Sequence, residues 1–179
     1  ARRLLKGLPF PWQAKRRREA MNPTIRKFGY PETLVGELDH WLVLLRPAQV
    51  TAGSLILAAK SDAQSLAALD PAAFTEMRIA VQRIEQLLAA AVNFDKINYL
   101  MLMMVDPEVH FHVIPRYAGE RLLAGTRLAD RDWPGPPDLA SAVHLDVDAS
   151  KTMTAELRER WKSLGREAQD ISTDNLRKN

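Results

Sequence analysis

Four histidines occur in the chain, at positions 40, 110, 112 and 144. Two of them fall in one short run, Glu108-Val109-His110-Phe111-His112-Val113-Ile114-Pro115-Arg116, in which polar and apolar residues alternate. Alternation with period two marks a half-buried strand, so Glu108, His110 and His112 share one face while Val109, Phe111 and Val113 turn to a core. Side chains on one face of a strand repeat every ~6.6 Å, so this row can line a groove about as long as a polyphosphate chain. A neutral imidazole, with a reference pKa of ~6.5, is a good nucleophile toward phosphorus at neutral pH. The same three side chains are also an oxygen-plus-two-nitrogen set for a metal. At this spacing, however, they reach an ion at ~2.1 Å only if the strand bends, and a fourth ligand must come from elsewhere.

The run His110-Phe111-His112-Val113-Ile114-Pro115-Arg116 resembles the signature of the histidine triad (HIT) family of nucleotide hydrolases and transferases, His-x-His-x-His followed by two apolar residues and often Pro-Arg. In that register His110 takes the place of the nucleophile and His112 that of the third histidine, while Glu108 stands where the first would be. Two further departures are visible. The family's Pro-Gly-His before a strand is replaced by Gly53-Ser54, and its longer Gly-rich turn, with a phosphate-contacting glutamine or serine, is replaced by Asp106-Pro107. The resemblance extends from about residue 28 to about residue 140. It implies attack by His110 on the α-phosphate of a nucleotide through a phosphohistidine, with His112 holding the phosphate oxygens and Glu108 orienting an imidazole or acting in its protonated form. It further implies no required cofactor and a homodimer in which two sheets join. A catalytically degenerate nucleotide-binding module and a metal-dependent hydrolase are the competing readings.

Substrate-binding candidates lie on either side of the strand. Arg116, just past it, and Arg46, beside the expected groove, can neutralise phosphate charge, and each also reads as an ordinary surface ion-pair partner. Trp133 opens Trp133-Pro134-Gly135-Pro136-Pro137, a stiff extended loop; its indole either pins the loop to the body or stacks on a base.

The elements that must position these groups follow from pattern. Thr33 to Leu38, His40 to Arg46 and Ser54 to Ala59 read as strands, with a loop from Pro47 to Gly53. Asp70-Pro71 starts the clearest helix, Asp as N-cap and Pro at its first position. Its apolar stripe is expected from Phe74, Met77, Val81, Ile84, Leu88 and Ala91. Lys96 to Met104 reads as a strand joined to the histidine strand by a short turn, making a hairpin. The expected fold is therefore α+β: a HIT-like antiparallel sheet of about five strands, one long helix packed across it, and a C-terminal helix. By residue, this gives a basic leader over 1–20, the HIT-like domain over 21–149, a helix over 150–167 and a polar, frayed tail over 168–179.

Composition narrows the classes. The 179 residues, 46% of them hydrophobic, suffice for one core. There is no cysteine, which removes disulfides, thiolate catalysis and Cys-ligated zinc and suits a cytoplasmic protein. No apolar run approaches the ~18 residues of a membrane span. The net charge of +3 is concentrated in the leader, where seven basic residues face only Glu19. The remainder is mildly acidic, so binding of nucleic acid is not expected. The leader itself reads as a basic arm, as a targeting segment, or as residues encoded upstream of a start at Met21.

Overall fold

The computed structural model describes residues 21–177; the basic leader and the last two residues of the tail lie outside the described residues. A helix that the strand-and-helix pattern above does not include opens the described chain. In α1 (Pro23–Lys27) the Asn22 side chain accepts from the Ile25 amide at 2.9 Å, with Pro at the first position. The same asparagine donates to the carbonyls of Ala59 and Ser61, stitching α1 to the sheet. Gly29 follows at φ +87, where a Cβ would meet Thr33 Cγ2 at 2.8 Å, so the turn out of α1 needs glycine.

Strands β1 (Leu34–Glu37) and β2 (Trp41–Leu45) come next, then a two-residue β3 (Ala48–Gln49) inside the segment expected to be loop, and β4 (Leu55–Ala59). Helix α2 (Pro71–Val92) starts as its sequence predicts, with Asp70 accepting from the Ala72 amide. After it come β5 (Lys96–Leu100), β6 (His110–Arg116), a hairpin of β7 (Glu120–Leu123) and β8 (Thr126–Ala129), a short β9 (Val143–His144) that pairs with β3, and α3 (Val147–Arg177). The main sheet is five-stranded and antiparallel, in the order β1-β2-β4-β6-β5. This is the expected α+β architecture. Strands β2 and β4 are buried at every position because both faces of the sheet are covered.

One face carries Trp41, Val43, Leu57, Val109 and Val113 against Ile84, Leu87 and Leu88 of α2 and Met153, Leu157 and Trp161 of α3. The other packs Leu42, Leu44, Ile56 and Ala58 under Ile25 and Tyr30. The buried arc of α2 is rotated from the expected stripe. Ile84 and Leu88 lie in it, but Phe74 is 45% exposed and Ala73 and Ala80 face inward. The bulk of Trp41 explains the rotation: its indole N–H donates to the Ala73 carbonyl at 2.7 Å, so small residues must face β2.

Two boundaries also differ. Strand β5 ends at Leu100, and residues 101–109 form a long connection instead of a short turn. Leu100 already lies opposite His112, and the incoming chain is drawn toward β4 by bonds between Ala59 N and Val109 O and between Val109 N and Ala63 O. The apolar run that looks like strand is thus solvent-facing, with Met104 94% exposed. Helix α3 begins before residue 150 and continues through the segment read as a frayed tail. Among the described residues no helix is long and apolar enough to cross a membrane.

Candidate functional site

Strand β6 has the register its alternation predicts. Val109 and Val113 are fully buried on the helix side, and Phe111, partly buried, packs there with its ring 6.3 Å from that of Trp41. His110 and His112 occupy the opposite face, their ring centroids 5.1 Å apart.

Each imidazole is fixed by a different partner. His110 Nδ1 donates to the backbone carbonyl of Glu108 at 2.8 Å. A carbonyl only accepts, so Nδ1 carries the proton and Nε2 presents a bare lone pair. That Nε2 is buried and has no hydrogen-bond partner among the described residues, an uncommon state that costs stability unless the atom is used. His112 is the converse. Its Nδ1 lies 3.4 Å from Arg46 Nε, which can only donate. The His112 pKa is lowered to about 4 by burial first, then by Arg46 and by His110, with Asp106 opposing. His112 is therefore neutral at pH 7, with its proton on Nε2. One ring offers a lone pair and its neighbour an N–H.

Glu108 precedes the strand rather than belonging to it. Its buried carboxylate accepts from the Thr24 hydroxyl of α1 at 2.5 Å. Its carbonyl is the one that holds His110, so Thr24, Glu108 and His110 form a chain of contacts. Phe28, at the end of α1, closes the site with its ring 5.5 Å from that of His110 and 5.7 Å from that of His112. Arg46 also donates to the Ala48 carbonyl. Among the described residues no three His, Cys, Asp or Glu side chains gather to hold a metal.

Arg116 lies on the same face but is buried in another network. Its Nε and Nη2 reach the Asp130 carboxylate at 2.6 and 3.2 Å, Nη1 donates to Asn98 at 3.0 Å, and Nη2 donates to the Gly135 carbonyl at 2.7 Å. Trp133 is half-buried beside it. With Lys96, Asn98, Leu100 and Arg116 it lines a cavity of about 560 Å³ on the histidine side of β5. Sequence reasoning overlooked Thr24, Phe28 and Asp106. The pair Asn22-Pro23 is the same helix-start signal as Asp70-Pro71 and could have revealed α1; nothing local marks Asp106.

Comparison with known proteins places the fold. The chain superposes on a histidine triad protein from Bradyrhizobium japonicum with a TM-score of 0.60 at 20% identity, covering 78% of this chain and 96% of that one. A histidine triad protein from Sinorhizobium meliloti gives 0.61 at 22% identity, covering 78% and 95%. A hypothetical histidine triad nucleotide-binding protein from Sulfolobus tokodaii gives 0.60 at 17% identity, covering 80% and 93%. No curated protein sequence matches the chain. The family model for the HIT domain matches residues 27–119, more than half of the chain and all of the histidine strand, and the protein belongs to the HIT domain family.

Proposed function

We propose that this protein is a nucleotide hydrolase or nucleotidyl transferase that works at the α-phosphate through a phosphohistidine on His110. The observation that carries the reading is the buried, unpartnered Nε2 of His110, whose ring is locked by the Nδ1 bond to Glu108. The Nε2 lone pair attacks phosphorus, and the bond to the departing group breaks and takes its electron pair away. The ring then bears phosphorus on Nε2 and a proton on Nδ1, and its positive charge rests against the Glu108 carbonyl. Water or another acceptor attacks phosphorus next, the P–N bond breaks, the pair returns to Nε2, and the acceptor's proton is lost to solvent. The Nε2–H of His112 holds a nonbridging oxygen, and Arg46, 3.4 Å from His112, neutralises charge. A nucleotide reaches Nε2 by displacing Phe28. Membership in the HIT family supports the nucleotide class, as does the likeness to a protein called nucleotide-binding. The edge of β5, unpaired among the described residues, supports a homodimer joined along that strand.

Rapid quench with a radiolabelled nucleotide tests the mechanism: acid-labile label is expected on His110 and none on His112. His110→Ala should lower turnover at least ~10³-fold, about 4 kcal/mol of barrier, with nucleotide affinity kept within roughly tenfold. Near-native turnover in that variant would end the covalent reading. One observation favours a binding module instead: His110 has no solvent exposure. Nucleotide binding with no turnover by the unaltered protein would establish that alternative.

A further inference from the structure

Residues 101–107 join β5 to the strand that bears both imidazoles, and they are weakly held. Their backbone makes no hydrogen bond among the described residues, and their one polar side-chain contact there is the 2.6 Å ion pair between Lys27 Nζ and Asp106 Oδ1. Met101, Leu102, Met104 and Val105 face solvent, while Met103 packs against the core. We propose that this connection is a lid on the histidine site and that the Lys27–Asp106 pair is its latch; as a device for substrate entry it rests on His110 being the nucleophile.

The path of the connection brackets the imidazoles. It leaves β5 at Leu100, opposite His112. Through Asp106 it reaches Lys27, next in sequence to Phe28, whose ring stands 5.5 and 5.7 Å from those of His110 and His112. It returns at Glu108, whose carbonyl holds His110. Asp106 is also near enough to His112 to oppose the fall in its pKa. Both imidazoles are buried, so part of this cover must move before a phosphate meets Nε2.

The two sides of the latch are not equally free. Helix α1 is fastened by Asn22 to the carbonyls of Ala59 and Ser61, by Thr24 to Glu108 and by the buried side chain of Ile25. The connection has fixed ends, since Leu100 is paired in the sheet and Val109 bonds to Ala59 and Ala63, but nothing comparable between them. Segments with few buried contacts and few backbone bonds open at low free energy, so the connection moves and α1 stays. Displacing Phe28 needs room, and the connection can give it where an anchored α1 cannot. A partly exposed ion pair is a weak tie that salt screens. An arriving phosphate breaks it in two ways: its charge repels the Asp106 carboxylate and competes for the Lys27 ammonium. A neutral compound has neither lever, so the latch favours anionic substrates.

The test reads lid opening without any substrate. Diethyl pyrocarbonate acylates a bare imidazole nitrogen, so its rate at His110, resolved by mass spectrometry and divided by the rate at the exposed His144, reports access to Nε2. Lys27→Met and Asp106→Asn should each raise that ratio about two- to fivefold, the worth of an exposed ion pair, and the double variant no further than either alone. Salt at about 0.5 M should raise it likewise in the unaltered protein and leave both variants unmoved. The chain has no cysteine, so in Lys27→Cys/Asp106→Cys a bismaleimide joins only those two positions. The joined protein should show a ratio lower by about tenfold or more than the same protein with each cysteine capped by N-ethylmaleimide, and should turn a nucleotide over more slowly by a similar factor. Equal His110 labelling in the joined and capped forms, or a salt response that survives Lys27→Met, would overturn the lid. If labelling responds as stated and no form turns a nucleotide over, the lid stands and the hydrolase reading fails by itself.

Discussion

The two ends of β6 carry polar side chains on one face of one strand, and they are opposites. At the Arg116 end the guanidinium makes bonds to Asp130, Asn98 and Gly135 and is buried with its counter-charge. At the His110 end a buried nitrogen has no hydrogen-bond partner among the described residues. Hydrogen-bond accounting separates the two where residue type does not: a saturated group holds structure, and an unsaturated one retained in a packed site is available for chemistry. The motif assigns both ends to one signature; the contacts divide them into a strut and the proposed nucleophile.

The largest test of this contrast is Arg116→Met. It leaves the Asp130 carboxylate buried without its partner and should cost about 3–5 kcal/mol of unfolding free energy in urea. Loss below 1 kcal/mol would remove the strut. Phe111→Ala probes the core side of the same strand; because Phe111 is only partly buried, a loss of about 2–3 kcal/mol is expected, below the cost at a fully enclosed site.

Acid should expose the histidine end. The folded pKa of His112, about 4, lies below its reference value, so the unfolded chain binds more protons between these values. Its contribution is fully present above pH ~6.5 and is lost as pH falls toward 4, up to about 3 kcal/mol. His112→Gln should flatten the stability profile in that window, and an unchanged slope would show that another group titrates there. Thr24→Val leaves the Glu108 carboxylate without its hydroxyl donor, for about 1–3 kcal/mol. It should also lower kcat more than it raises KM, with Thr24→Ser restoring both. Arg46→Met should have the smallest effect: removing the second contributor to the His112 shift returns that pKa part of the way toward 6.5, readable by NMR titration.

Much of this was readable in the linear chain, for identifiable reasons. Period-two alternation put His110 and His112 on one face and Val109 and Val113 on the other, because side-chain direction in a strand is local geometry. Asp70-Pro71 marked the start of α2, since capping involves only neighbours. The run Met101 to Val105 misled because its apolar composition is compatible with a strand, and nothing within it reports that the chain is drawn away to Ala59 and Ala63. The rotation of α2 was hidden for the same kind of reason: the shape of Trp41, on another element, decides which helical face can approach.

Residue order alone therefore determined the strand, its faces and the presence of two adjacent imidazoles. Their protonation states were decided only by tertiary structure. The Glu108 carbonyl sets the His110 tautomer, and the carboxylate of the same residue is tied to Thr24, 84 residues earlier. His112 is kept neutral by burial and by Arg46, 66 residues away. Arg116 is silenced by Asp130 and Gly135 from loops beyond the strand. Periodicity is a property of neighbours along the chain, whereas protonation and hydrogen-bond satisfaction depend on distances through space that folding alone creates.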